Sequence, residues 1–268
     1  MRSSIPHADK CRQVVIITAT VFLLIALTAC GTSTSNMQPA ARSLAAKPGS
    51  SVPILLFVGT GTSASDVSAV ETILNSNKLS YATANSSQIE GMSESALKAY
   101  KLLIVPGGNS ISIGQGLSST ATNNIHNAVQ SGLNYLGICA GGYFGGYSEY
   151  NGLNLTSGVW FDTYSNNGRG TGKTAIEISN PSTGNMDQYW QDGPQFTGWG
   201  TVVGKYPDGL PAIVEGNSGS GWVILSGIHA EAPTSWRYGM SFSTPVQTDN
   251  AYAYTMIEAA LNGKSLAY

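Results

Sequence analysis

The chain has little charge, few histidines and almost no cysteine. Charged residues make up 10% of its 268 positions, with 13 Lys and Arg against 15 Asp and Glu. No basic run or patch occurs, which removes the electrostatic footprint expected of a nucleic-acid-binding protein. No apolar stretch reaches the roughly 20 residues that a membrane-spanning helix needs. There is no internal repeat. Histidine occurs only at 7, 126 and 229, and cysteine only at 11, 30 and 139. Any chemistry requiring an imidazole or a thiol therefore has a short list of residues to draw on.

The N-terminal residues shorten that list. Arg2, Lys10 and Arg12 precede an uncharged apolar run of 16 residues at 14–29, which ends in small side chains. Positive charge, then a short apolar segment, then small residues is the layout of a secretory signal peptide. Leu27-Thr28-Ala29-Cys30-Gly31 resembles a bacterial lipobox, at which Cys30 is diacylated and becomes the mature N-terminus. An ordinary cleaved signal peptide or an uncleaved anchor is the alternative. The lipobox reading makes 1–29 a lipoprotein signal peptide and 30–51 a lipidated cysteine with a Ser-, Thr-, Ala- and Pro-rich tether. The membrane is then a partner through the lipid, and the protein sits outside the cytoplasm on the cell membrane or outer membrane. Cys139 is left as the one free thiol, with no disulfide partner in a compartment where disulfides form.

Residues 52–268 are enough for one domain with a sizeable core. Val52–Val58 is a continuous apolar run suited to a strand covered on both faces. Val67, Val70, Ile73 and Leu74 have helical spacing, with Ser65 or Asp66 available as a cap. Leu102–Val105 is a second buried-strand run ending in Pro106-Gly107-Gly108. Ile125, Ala128 and Val129 mark another helix, closed by Gly132, and Tyr135–Ile138 a third strand. This alternation predicts an α/β fold with an open, mostly parallel sheet and helices on both faces. Beyond residue 150, short strand-like runs at 160–164, 174–178, 201–203, 212–215 and 222–225 predict an antiparallel extension of the sheet. A last helix fits Tyr252, Met256, Ile257 and Leu261, stopped by Gly263.

Gly137-Ile138-Cys139-Ala140-Gly141 lies at the third strand's end. A Gly-x-nucleophile-x-Gly sequence between strand and helix is the signature of a nucleophile elbow, in which the turn lifts one side chain above the sheet edge. A helix starting behind the sulfur would favour its thiolate. The thiol needs a base. His7 lies in the signal segment, and His126 lies within a helix away from any strand end. His229 follows the run Trp222–Leu225, past another strand terminus. Glu231, two residues on, projects to the same side of an extended segment, where it can accept a hydrogen bond from Nδ1–H and fix the tautomer that leaves Nε2 for the thiol.

Pro106-Gly-Gly108, the Cys139 elbow and Ser226-Gly-Ile-His-Ala-Glu231 resemble, in order and spacing, the class I glutamine amidotransferase-like superfamily. PGGNS (106–110), NYLGICAGGYFGG (134–146), DGPQF (192–196) and VILSGIHAE (223–231) resemble more closely the biotin-protein-ligase N-terminal domain family, which also occurs as stand-alone bacterial proteins. The resemblance implies a flavodoxin-like sheet and a catalytic Cys139, His229 and Glu231. It also implies an oxyanion hole from the backbone N–H groups of Gly107, Gly108 and Ala140. One departure is Ala230, where superfamily members usually carry proline. No ligase catalytic domain follows residue 231, so biotin ligation is not expected.

Such a triad implies acyl transfer on an amide or peptide through a thioester. The alternative is a binding or regulatory module that keeps the elbow without turnover. No cofactor and no metal are expected. Gly59-Thr-Gly61-Thr-Ser-Ala64 matches a dinucleotide-binding glycine pattern, but the next strand, Ser80–Ala84, lacks the acidic residue that would hold a ribose. Gly59 and Gly61 are instead expected to wall the pocket near Cys139, together with Asn109 and Tyr143. The aromatic stretch Tyr189, Trp190, Phe196 and Trp199 fits either a ligand groove or ordinary core packing.

Overall fold

A computed structural model describes residues 52–164, 172–180 and 182–266. The signal-peptide, lipobox and tether readings fall outside the described residues. Among the described residues no helix is long and apolar enough to cross a membrane.

The first half builds four parallel strands. The apolar runs form β1 (Ile54–Phe57), β3 (Leu102–Val105) and β4 (Asn134–Ile138), while the more polar Tyr81–Ala84 forms β2. The polar strand takes the sheet edge and the apolar ones its interior. Between them lie α1 (Ala64–Ser76), α2 (Ser86–Glu90), α3 (Glu94–Leu97), α4 (Ser110–Gln115) and α5 (Ser119–Gln130). The cap of α1 is Ser63, whose hydroxyl accepts from the Asp66 N–H, rather than Ser65 or Asp66. Helix α5 ends at Ser131, with Gly132 following in a positive-φ conformation.

The second half adds α6 (Ala140–Gly145), β5 (Lys173–Ile178), β6 (Met186–Gln191), β7 (Thr201–Lys205), β8 (Pro211–Ser218), β9 (Gly221–Ser226) and α7 (Val246–Asn262). The main sheet has the order β2-β1-β3-β4-β9-β8-β7. Strand β9 joins β4 in parallel, and the antiparallel pairings of this sheet are β9 with β8 and β8 with β7. The antiparallel extension is therefore two strands of the sheet, and β5 and β6 form a separate two-stranded ribbon. The run at 160–164 is not a strand; it makes one isolated bridge, Thr163 to Pro194. Its aromatic side chains meet neighbours at the edge of ring packing, Phe161 against Phe196 and Tyr164 on Tyr206, instead of a ladder partner.

Two apolar layers cover the sheet. One packs α1 and α7 on Leu56, Ile104, Leu136 and Ile224; the other packs α5 on Leu55, Leu103, Tyr135 and Val223. Alternation along each strand sends successive side chains to opposite layers. The chain leaves β1 toward β2 and returns to place β3 on β1's other side. The strand order reverses at that point, where open α/β sheets leave a crevice beyond the strands' carboxyl ends. The ends of β1, β3, β4 and β9 all open there, and each contributes to the candidate site.

Candidate active site

The turn after β4 is sharp because three backbones cross within it. A Cβ on Gly141 would overlap the carbonyl oxygen of Val105, and one on Gly137 would overlap that of Gly141. Cys139 sits between them at φ 49° and ψ −104°, a conformation that non-glycine residues rarely adopt. Such strain costs on the order of 1–3 kcal/mol and persists where the surroundings over-determine it. Here the Cys139 N–H donates to the Ser226 carbonyl at 2.7 Å, tying the elbow to the end of β9. The sulfur points into a cavity, 7% exposed as a residue, and donates to the Gln191 carbonyl at 3.6 Å. Helix α6 behind it spans only six residues.

His229 leaves β9 through Gly227 and Ile228. Its N–H donates to the Tyr189 carbonyl at 2.8 Å, so the β5–β6 ribbon fixes the imidazole's height above the sheet. Tyr189 and Trp236 face its ring edge-on, with centroids 5.8 and 5.7 Å away. The Cys139 thiol and the ring line the same cavity, the sulfur close enough to raise the imidazole's pKa. The ring's Nδ1 is 2.8 Å from Glu231 Oε1. Burial pulls the imidazole's pKa down, but the Glu231 carboxylate and the Cys139 sulfur outweigh it and hold His229 well above its ordinary range. The Glu231 carboxylate keeps the proton on Nδ1.

A second carboxylate reaches the same nitrogen. Asp66 Oδ1 lies 3.3 Å from Nδ1, and the residue is 7% exposed. Asp66, His229 and Glu231 bring their donor atoms within 4.8 Å of one another. Both carboxylates converge on one protonated ring nitrogen, so the group is a proton-sharing network. Asp66 entered the sequence analysis only as a helix cap. Its sole sequence signal is an acid in the first turn of a helix that follows a parallel strand's carboxyl end.

The cavity above these groups has a volume of about 870 Å³, within the range usual for small-ligand sites. Cys139, Ala140, His229 and Asp66 line it, as do Gly108, Asn109 and Tyr143. Tyr147, Tyr150 and Trp160 give it an aromatic rim that remains 36–49% exposed. Glu231 lies behind His229, 2% exposed. Gly59 and Gly61 are not at the wall: Gly59 faces the Phe57 ring and Ser86, and Gly61 packs on the backbone of Ser112 and Ile113. Gly107 is also set back, against Asp66 and His229. Of the aromatic stretch, Tyr189 lines the cavity while Trp190 and Phe196 are core. His126 is satisfied elsewhere, with Nδ1 2.9 Å from the Leu153 carbonyl.

Two residues that line the cavity with Cys139, Ala140 and Gly108, have backbone N–H groups outside the helix and bridge hydrogen bonds. Ala140 is the first residue of α6, whose N–H has no acceptor within the helix. Gly108 bridges Thr62 in an antiparallel pattern in which its neighbours supply the hydrogen bonds, Gly107 accepting from Ser63 and Asn109 donating to Gly61. In such a pair the bridging residue's own N–H turns away from its partner strand.

Residues 52–151 match the family described as biotin-protein ligase, N terminal. That span holds the elbow and Pro106-Gly107-Gly108 and stops before His229. A crystal structure of a glutamine amidotransferase is similar over 69% of this chain and 96% of its own, with 21% identity and a TM-score of 0.53. The fold is glutamine amidotransferase-like. The exo-beta-1,4-mannosidase Op5Man5 from Opitutaceae bacterium strain TAV5 is similar over 78% of this chain but 36% of its own, at 13% identity and a TM-score of 0.50. One fold thus serves unlike proteins, and the chemistry has to be argued from the site. No curated protein matches the chain.

Proposed function

We propose that the protein is a cysteine-dependent amidohydrolase that cleaves an amide or peptide by acyl transfer. The observation that carries the reading is the elbow sulfur and a Glu231-backed imidazole facing one cavity. His229 takes the Cys139 proton at Nε2, and the thiolate attacks the carbonyl carbon. The Ala140 and Gly108 N–H groups hold the developing oxyanion, a contribution of about 2.7–4 kcal/mol per donor in comparable sites. His229 then gives its Nε2 proton to the leaving nitrogen, the C–N bond breaks, and an acyl thioester remains on Cys139. Water, deprotonated by His229, hydrolyses the thioester and regenerates the thiol. Glu231 keeps Nδ1 protonated throughout.

The test is a panel of peptide anilides and amides, scored for amine release and for acyl adducts on the intact protein. Hydrolysis that Cys139→Ala abolishes supports the reading. Binding of such ligands with no adduct and no release, unchanged in Cys139→Ser, would favour a second reading, a non-catalytic ligand-binding module. The thiol's hydrogen bond to the Gln191 carbonyl, which stabilises the protonated sulfur, is the observation on that side.

Lipid anchoring belongs to the same proposal. Diacylated Cys30 would hold the domain outside the cytoplasm on a tether of some twenty residues. Cys30→Ser should then move the full chain from the membrane to the soluble fraction, and unchanged membrane retention would refute the anchor.

A further inference from the structure

An aspartate in the first turn of a helix ordinarily needs no explanation, because its charge complements the helix N-terminus from solvent. Asp66 does not behave that way. It occupies the third position of the 13-residue α1, yet it is almost fully buried and turned across the end of β3 toward His229. A carboxylate removed from water is costly unless paired. Its Oδ1 lies 3.3 Å from Nδ1, and Ser65 Oγ, its other side-chain neighbour, is a long 3.4 Å from Oδ2. The approach depends on Gly107. A Cβ there would overlap Asp66 Oδ1 and come within 2.7 Å of His229 Cε1.

We infer that Asp66 is a second positioning residue for His229, clamping Nδ1 from the cavity side while Glu231 clamps it from the buried side. The inference rests on reading Cys139 and His229 as a working pair. The two carboxylates differ in setting: Asp66 lines the cavity and Glu231 does not. Four titratable groups face the imidazole: Glu231 from its own segment, Asp66 from α1, Cys139 from the elbow and Tyr189 from β6. Of these, Asp66 and Glu231 aim their carboxylates at Nδ1. Removing Asp66 should therefore make the imidazolium easier to deprotonate without taking away the hydrogen bond that Glu231 accepts. Asp66 touches neither the sulfur nor the reacting carbonyl, and its part in the reaction is to hold the base.

The test follows the His229 ring proton on Cε1 by NMR against pH, in the full-length protein carrying Cys139→Ser so that sulfur titration does not intervene. Asp66→Asn, which keeps the shape of the side chain, should lower the His229 midpoint by about one unit, a tenfold loss of imidazolium at a given pH. A folded Asp66→Asn protein with the wild-type His229 midpoint would overturn the inference. Should that variant fail to fold, the Asp66 carboxyl carbon in the unaltered protein should show an inflection at the pH where His229 loses its proton. A carboxyl signal blind to His229 would overturn the inference equally. Thiol chemistry separates this from the parent reading. Loss of any His229 effect on Cys139 alkylation refutes the pair, whereas an intact pair with an Asp66-independent His229 refutes only the clamp.

Discussion

Two glycine-rich turns leave the sheet toward the cavity, one after β1 and one after β4, and they work in opposite ways. In the elbow after β4 the glycines are steric necessities: the chain crosses itself and β3 so closely that Gly137 and Gly141 admit no side chain, and Cys139 between them is forced upward. In the turn after β1 the glycines are crowded away from the cavity, Gly61 against the backbone of Ser112 and Ile113, and the residue that reaches the site is Asp66, five positions beyond Gly61 and already inside α1. Glycine therefore reports where the backbone is crowded. It does not report which side chain the turn delivers. Both turns nonetheless bring an ionisable group to His229, a sulfur from one and a carboxylate from the other.

Substitution at the glycines should separate the two turns. Gly141→Ala is expected to have the largest effect, because the obstacle is the Val105 backbone and cannot swing aside. A loss of about 3 kcal/mol in urea unfolding is expected, together with loss of thiol reactivity. Gly107→Ala meets the end of the Asp66 side chain, which can rotate away. It should cost about 1–2 kcal/mol and lower the His229 midpoint much as Asp66→Asn does. Gly59→Ala should cost still less, about 1 kcal/mol as the Phe57 ring shifts. It should leave Cys139 alkylation at the wild-type rate, because Gly59 is not at the cavity wall. Equal effects of Gly59→Ala and Gly141→Ala on the thiol would erase the distinction between a turn that packs and a turn that delivers.

A pH measurement sharpens the electrostatic half of the comparison. His229 is desolvated, which lowers its pKa, but Glu231 and Cys139 raise it further, so the folded protein holds the proton above the unfolded value. The stability this contributes is fully present below about pH 6.5 and is lost as pH climbs through the elevated folded midpoint. Glu231→Gln should bring that alkaline decline to lower pH, visible as an earlier fall in thermal midpoint between neutral and alkaline buffers.

The parallel half of the fold was legible in the sequence because its strands are unbroken apolar runs buried on both faces and its helices carry clear periodicity. The second half was harder. Met186–Gln191 sets Tyr189 and Trp190 side by side between polar residues, with no period-two alternation, so it read as a groove or core segment and not as β6, the strand that fixes His229. Residues 160–164 have a strand-like composition, yet their rings pack individually and no ladder forms. Cys139 and His229 could be nominated by elimination because the chain holds so few thiols and imidazoles, and Glu231 by its place two residues past His229. Asp66 could not, since its meaning depends on what lies across the end of β3. Gly59 and Gly61 were misplaced for the converse reason: their motif is local, and their side of the turn is set by Phe57 and α4.

The most direct measurement is the rate of iodoacetamide alkylation at Cys139 against pH, in the wild type and in His229→Ala. An imidazolium-paired thiolate should react well below pH 8.5 and faster than a model thiol, and His229→Ala should abolish the excess. A wild-type profile matching that of a free thiol, unchanged by His229→Ala, would contradict the pairing of this sulfur with this ring.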